Sequence, residues 1–196
     1  MTSVDADGLL DRLLLDLDPD PYLLGFAAAL AYGQPLSGAD ELAGWRDRVA
    51  TYPRDLAAAV ARRHFWRWQM YVERSNPHGL AAHFAEVAQR IEHTLCALNR
   101  RWWPCQKWPN RTMADLPLAP PDVAARLRNA ATAPPATAAA ELAAIVEHTY
   151  DLLEQHLPEA NPTRMREIFH LARAPWPAGG RDFLGGGVDQ RQVRST

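Results

Sequence analysis

Phe84, Val87, Ile91, Leu95, Leu98 and Trp102 recur at intervals of three and four residues, the period that places apolar side chains on one face of an α-helix. A half-buried strand would alternate apolar and polar residues instead, and no alternation of useful length occurs in the chain. The pattern predicts a helix over 80–103, stopped by Pro104. Further helices are expected over 3–17, capped by Ser3 and striped by Leu10, Leu13, Leu14 and Leu17; over 22–32, with Leu23, Phe26, Ala27 and Leu30; over 39–50, around Leu42, Trp45 and Val49; and over 54–74, with Leu56, Val60, His64 and Trp68. A short helix should start at Pro121, another run over 138–157 behind Thr137, and a last one run from Pro162 to about Arg173. Gly33-Gln34-Pro35, Tyr52-Pro53 and Ser75-Asn76-Pro77-His78-Gly79 are the breaks between them. The expected fold is all-α, a helical bundle of five to seven helices forming one domain over 1–175, followed by a glycine-rich flexible tail over 176–196.

With 47% hydrophobic residues, the chain has enough apolar surface for a sizeable core. Its 21 basic and 23 acidic side chains nearly cancel, so it lacks the global basic field of a nucleic-acid binder. Cys96 and Cys105 are too few for a disulfide framework. No apolar run is long enough to span a membrane, and the first residues lack the basic region of a signal peptide. A cytoplasmic protein is therefore expected, and the abundant Ala, Arg and Pro point to a GC-rich bacterial genome. No HExxH occurs, and Glu167-Ile-Phe-His170 is the only Glu-x-x-His pair, whereas a di-iron bundle needs two. Neither a metal nor a cofactor is expected. Asp16-Leu-Asp18 and Asp18-Pro-Asp20 end a leucine-striped helix and read as a solvated turn.

The stretch ALNRRWWPCQKWPN, residues 97–110, packs three tryptophans among basic residues. Leu98 and Trp102 extend the core stripe, while Glu92, Cys96, Asn99 and Trp103 fall on an adjoining face of the same helix. Asn99 is either a local brace or a ligand contact, since a buried amide needs partners. Lys107, beyond the helix end and beside Trp108, suits an anionic group or the terminal carbonyls of the helix. His64, Trp66, Trp68 and Tyr71 form a second aromatic group interleaved with Arg62, Arg63 and Arg67. Residues 85–101 and 140–156 share seven of seventeen positions, including Glu92-His93-Thr94 and Glu147-His148-Thr149, which suggests two helices packed as a pair.

ALNRRWWPCQKW resembles a pattern in the helical half of bacterial minimal-nucleotidyltransferase proteins, ALNR-aromatic-aromatic-P-x-x-KW. LAYGQPL and ELAGWRDRVATYPRDL are similar to the segments that precede it there. The resemblance covers roughly residues 25–112, and more loosely the chain to about 173. It implies a helical domain like that of kanamycin nucleotidyltransferase, which helps form the acceptor-substrate pocket and often dimerises. By residue match it points to Asn99, Arg100, Lys107 and Trp108. The Gly-Ser motif of the catalytic domain is absent from these residues. The implied partners are a small-molecule ligand, a separate nucleotidyltransferase-domain protein, or a second copy of the chain in a homodimer.

The leading expectation is a ligand- or partner-binding domain with no nucleotidyl-transfer centre of its own. Its pocket would be lined by Trp66, Trp68, Trp103 and Trp108, with His64, His93, Asn99, Arg100 and Lys107 as polar contacts. The alternative is a small enzyme of specialised metabolism, with His64, Glu92 and His93 as acid–base groups. A third reading, a helical toxin-like RNA-binding protein, rests on Arg164 and His170 at Arg-x5-His spacing.

Overall fold

Asp5 opens the first helix by accepting a hydrogen bond from Gly8 N–H at 3.0 Å, so α1 spans Ala6–Leu14 and buries Leu10 and Leu13. Asp20 does the same for Tyr22 N–H at 2.8 Å, with Pro21 in the first turn, and starts α2, Pro21–Tyr32. The computed structural model describes residues 5–35, 39–62, 65, 68–73, 77–104 and 109–173. Within them follow α3 (Ala39–Val49), α4 (Arg54–Ala61), α5 (Gln69–Glu73), α6 (Pro77–Leu98), α7 (Pro109–Ala114), α8 (Val123–Thr132), α9 (Pro135–His156), a 3-10 turn at Pro158–Ala160, and α10 (Pro162–Arg173). The fold is all-α, and the described residues contain no strand. No helix among them is long and apolar enough to cross a membrane.

The long helices α6 and α9 pack on one another, and α8 touches both. α4 lies against α6, α10 lies against α9, and α1, α2 and α3 contact one another as a group. The shared pattern of residues 85–101 and 140–156 corresponds to a shared inward face. Ile91, Thr94, Leu95 and Leu98 are buried on α6, and Val146, Thr149, Tyr150 and Leu153 are buried at the matching positions of α9.

The described residues hold ten α-helices where five to seven were expected, because the long stripes are divided by breaks and short helices form between them. α1 is opened by Asp5 and spans Ala6–Leu14 instead of 3–17, the expected cap Ser3 lying outside the described residues, and α9 starts at Pro135, ahead of the expected cap Thr137. Two further helices differ more. The helix expected over 54–74 ends at Ala61, and residues 69–73 form a separate short helix. Phe65 and Trp68 between them are both buried. Phe65 packs edge-on to Tyr150 of α9, and Trp68 packs edge-on to Phe169 of α10, at ring separations of 5.9 and 5.3 Å. Arg62 secures the break by donating to the Glu159 carbonyl at 2.9 Å. Tertiary aromatic packing here overrides local helical continuity.

The helix expected over 80–103 spans 77–98 and stops well before Pro104. Arg100 adopts the left-handed conformation, φ 53°. Arg101 N–H then donates to Cys96 O at 2.9 Å, and Arg100 N–H to Ala97 O at 3.0 Å. This paired closure satisfies the last carbonyls of α6 and turns the chain back. A side chain in that conformation costs about 1 kcal/mol relative to glycine. The Arg100 guanidinium donates to Tyr52 O at 3.0 Å, which ties the reversal to the loop before α4.

Candidate ligand-binding cleft

Once the chain leaves α6, its two adjacent tryptophans part company. Trp102 turns toward the α1–α3 group. Its indole N–H donates to Val49 O at 2.8 Å, and its ring lies 4.3 Å from that of Tyr52. Its backbone N–H donates to the Tyr32 hydroxyl at 3.0 Å. Trp103 turns the other way, donating its indole N–H to Glu92 Oε2 at 3.1 Å.

Between these segments lies an open cleft of about 670 Å³. One wall is the last turn of α2 with Tyr32 and Gly33, a second is Arg101–Trp102 with Pro104, and the third is α7 and the turn after it, with Arg111, Thr112 and Asp115. Tyr32 is 55% exposed, unusual for a side chain whose hydroxyl is held by a core-anchored N–H. Its ring is thus a fixed surface facing the cleft. Among the described residues, the side chains of Arg101, Arg111 and Asp115 make no hydrogen bond or ion pair. Every other arginine with a described side chain makes a contact, as Arg54 does with Glu159 and Arg166 with Asp151. The cleft therefore presents a fixed aromatic face, two uncommitted guanidinium groups and one uncommitted carboxylate.

A second arrangement lies inside the protein. Glu92 and His93 are 9% and 2% exposed, and the His93 ring stands edge-on to Trp103 at 4.3 Å. Burial raises the Glu92 carboxyl above the usual range, and the Trp103 N–H only partly offsets this. Cys96, one turn further along α6, is pushed up to about 12 by burial and by the Glu92 charge. A thiol in that environment is an inert core group at neutral pH. Neither Glu92 nor His93 lines the cleft.

Of the residues singled out from sequence, the structure brings together Glu92, His93 and Trp103. His64, Trp66, Lys107 and Trp108 lie outside the described residues. Trp68 belongs to a different aromatic group, with Phe84, His83 and Phe169. The Asn99 amide donates to Leu95 O at 2.7 Å and Leu118 O at 2.8 Å, and its carbonyl accepts from Leu118 N–H at 2.9 Å, so it braces the loop before α8. Arg164 pairs with Glu167 at 3.0 Å, while His170 contacts Glu147 at 2.7 Å. In the Asp-x-Asp stretch, Asp18 pairs with Arg12 and accepts from Asp20 N–H, and Asp20 caps α2. Among the described residues no three His, Cys, Asp or Glu side chains converge as a metal site would require. Sequence reasoning missed Tyr32, Arg101, Arg111 and Asp115. The available signal was LAYGQPL and ALNRRWWP together, which hold Tyr32 and Gly33 in one case and Arg101, Trp102 and Pro104 in the other.

Fold and site define an all-α protein with an open cleft that joins an aromatic face to cationic groups. Residues 28–109 match the model of a domain of unknown function (DUF4037), a span that includes the α2 and Arg101–Pro104 walls of the cleft. No curated protein and no solved structure matches the chain.

Proposed function

We propose that this chain is a helical ligand-binding domain of nucleotidyltransferase type, whose cleft takes a small molecule bearing a flat ring and an anionic group. The observation that carries the reading is the convergence of Arg101 and Arg111, both uncommitted, on the cleft that exposes the fixed Tyr32 ring. Guanidinium groups bind carboxylate and phosphate through forked hydrogen bonds, and an aromatic face accepts a ring by stacking. Small-molecule sites combine apolar walls with a few polar groups in this way. The nucleotidyltransferase link rests on the resemblance, and both LAYGQPL and ALNRRWWP contribute walls to the cleft. In this reading the described residues bind the ligand, and a separate nucleotidyltransferase-domain protein, in a bacterial cytoplasm, is the class of partner that would act on it.

Calorimetric titration with indole-3-propionate and phenyl phosphate tests the reading. Arg101→Ala and Arg111→Ala should each weaken binding about tenfold, since a charged hydrogen bond contributes about 1.5–3 kcal/mol. Affinity unchanged in both variants would overturn it.

Glu92 and His93, both buried and both in contact with Trp103, support a second reading, an acid–base enzyme, because perturbed buried titratable groups cluster at catalytic sites. Turnover of a candidate substrate that is abolished by His93→Ala in a folded variant, and kept in Arg101→Ala, would establish it and would place the chemistry at the buried residues, apart from the cleft. Turnover unaffected in both His93→Ala and Glu92→Gln would remove it.

A further inference from the structure

Asp115 makes the cleft more than an anion site. It lies four residues after Arg111, in the turn just past the end of α7, a spacing at which opposite charges commonly pair where a helix continues. No such pair forms among the described residues, and both side chains line the cleft. A carboxylate lining the same cleft as two guanidinium groups weakens the binding of a simple anion, because it repels the same charge the arginines attract. That arrangement suits a ligand whose own charges are split.

We infer that the cleft recognises a zwitterion, an aromatic molecule carrying both an anionic group and a protonated amine, as aromatic amino acids do. Arg101 and Arg111 take the anionic group, Asp115 takes the ammonium, and the ring lies on Tyr32. Three features fit this class. The exposed Tyr32 ring is oriented by the hydrogen bond its hydroxyl accepts from Trp102 N–H at 3.0 Å. Part of the lining is apolar, formed by Ala28, Ala29 and Pro104. The volume of about 670 Å³ holds a bicyclic ring with a short charged side chain. The inference rests on the anion-binding reading above and adds the amine subsite to it.

The probes are L-tryptophan, indole-3-propionate (the same skeleton without the amine) and tryptamine (without the carboxylate), titrated calorimetrically against the full chain. L-Tryptophan should bind at least tenfold tighter than either analogue. Asp115→Asn should weaken L-tryptophan about tenfold and strengthen indole-3-propionate, bringing their ratio near one. Arg101→Ala should weaken both. Asp115 is exposed and the replacement is isosteric, and an unchanged thermal midpoint verifies that the variant is folded. If indole-3-propionate binds at least as tightly as L-tryptophan and still depends on Arg101, the amine subsite is refuted and the anion-binding reading stands. If no probe binds, or if binding ignores Arg101 and Arg111, both fall.

Discussion

The indole N–H of Trp103 donates to the Glu92 carboxylate at 3.1 Å across eleven residues of chain. On a continuous helix those positions would stand about 16 Å apart along the axis. The left-handed Arg100 turn closes the gap by sending the chain back along α6. The same turn sends Trp102 to Val49 and leaves Arg101 at the cleft, so one backbone reversal builds both the buried cluster and the candidate site.

Trp103→Phe keeps an aromatic ring but removes the donor that the described residues supply to the buried Glu92 carboxylate. It should destabilise the protein by about 1–3 kcal/mol, the cost of leaving a buried acceptor unmet. A double-mutant cycle with Glu92→Gln, read from urea midpoints, should give a coupling energy of about 0.5–3 kcal/mol. Strictly additive effects would show that the bond contributes nothing.

Stability should also respond to pH through Glu92. Its folded-state pKa is raised by burial, so its protonated form is favoured by folding. That contribution is fully present below the ordinary carboxylate range and is lost as pH rises through the raised value. Wild type should therefore lose stability relative to Glu92→Gln as pH increases from 4 to 8. Urea titrations of the two proteins across that range measure the difference, and parallel pH profiles would contradict the assignment.

Asn99 holds both backbone groups of Leu118, accepting from its N–H and donating to its carbonyl. Asn99→Ala should cost about 1–3 kcal/mol and should raise amide exchange at Leu118 specifically. Asn99→Asp keeps the acceptor for Leu118 N–H but sets a carboxylate against two carbonyls, so it should be no better tolerated.

Gly33 ends α2 where the chain passes close to its own last turn. A Cβ there would collide with the Ala29 carbonyl oxygen, and Arg46 donates to the Gly33 carbonyl on the other side. Gly33→Ala should lower stability by about 1–3 kcal/mol. Because Gly33 and Tyr32 share the cleft wall, the substitution should also weaken binding of indole-3-propionate. A thermal melt and a titration of the same preparation separate the two effects.

Periodicity by itself determined the class of fold. The 3.6-residue stripes of α6 and α9 and the Asp-Pro and Asn-Pro punctuation are local signals, since a helix is built from contacts three and four residues apart. For the same reason the α6 stripe of Val87, Ile91, Leu95 and Leu98 is buried as its spacing predicts. It misread the ends of 54–74 and 80–103. Those were decided by contacts between distant segments: Phe65 and Trp68 against α9 and α10, and a left-handed arginine at a turn where glycine is usual. The cleft is of the second kind. Its tyrosine comes from the end of α2, its first arginine from the reversal after α6, and its second arginine and carboxylate from α7. No local period relates residues so far apart in the chain. ALNRRWWPCQKWPN was legible as an unusual stretch, but only the tertiary structure divides it, with Trp102 and Trp103 inside the protein and Arg101 facing the cleft.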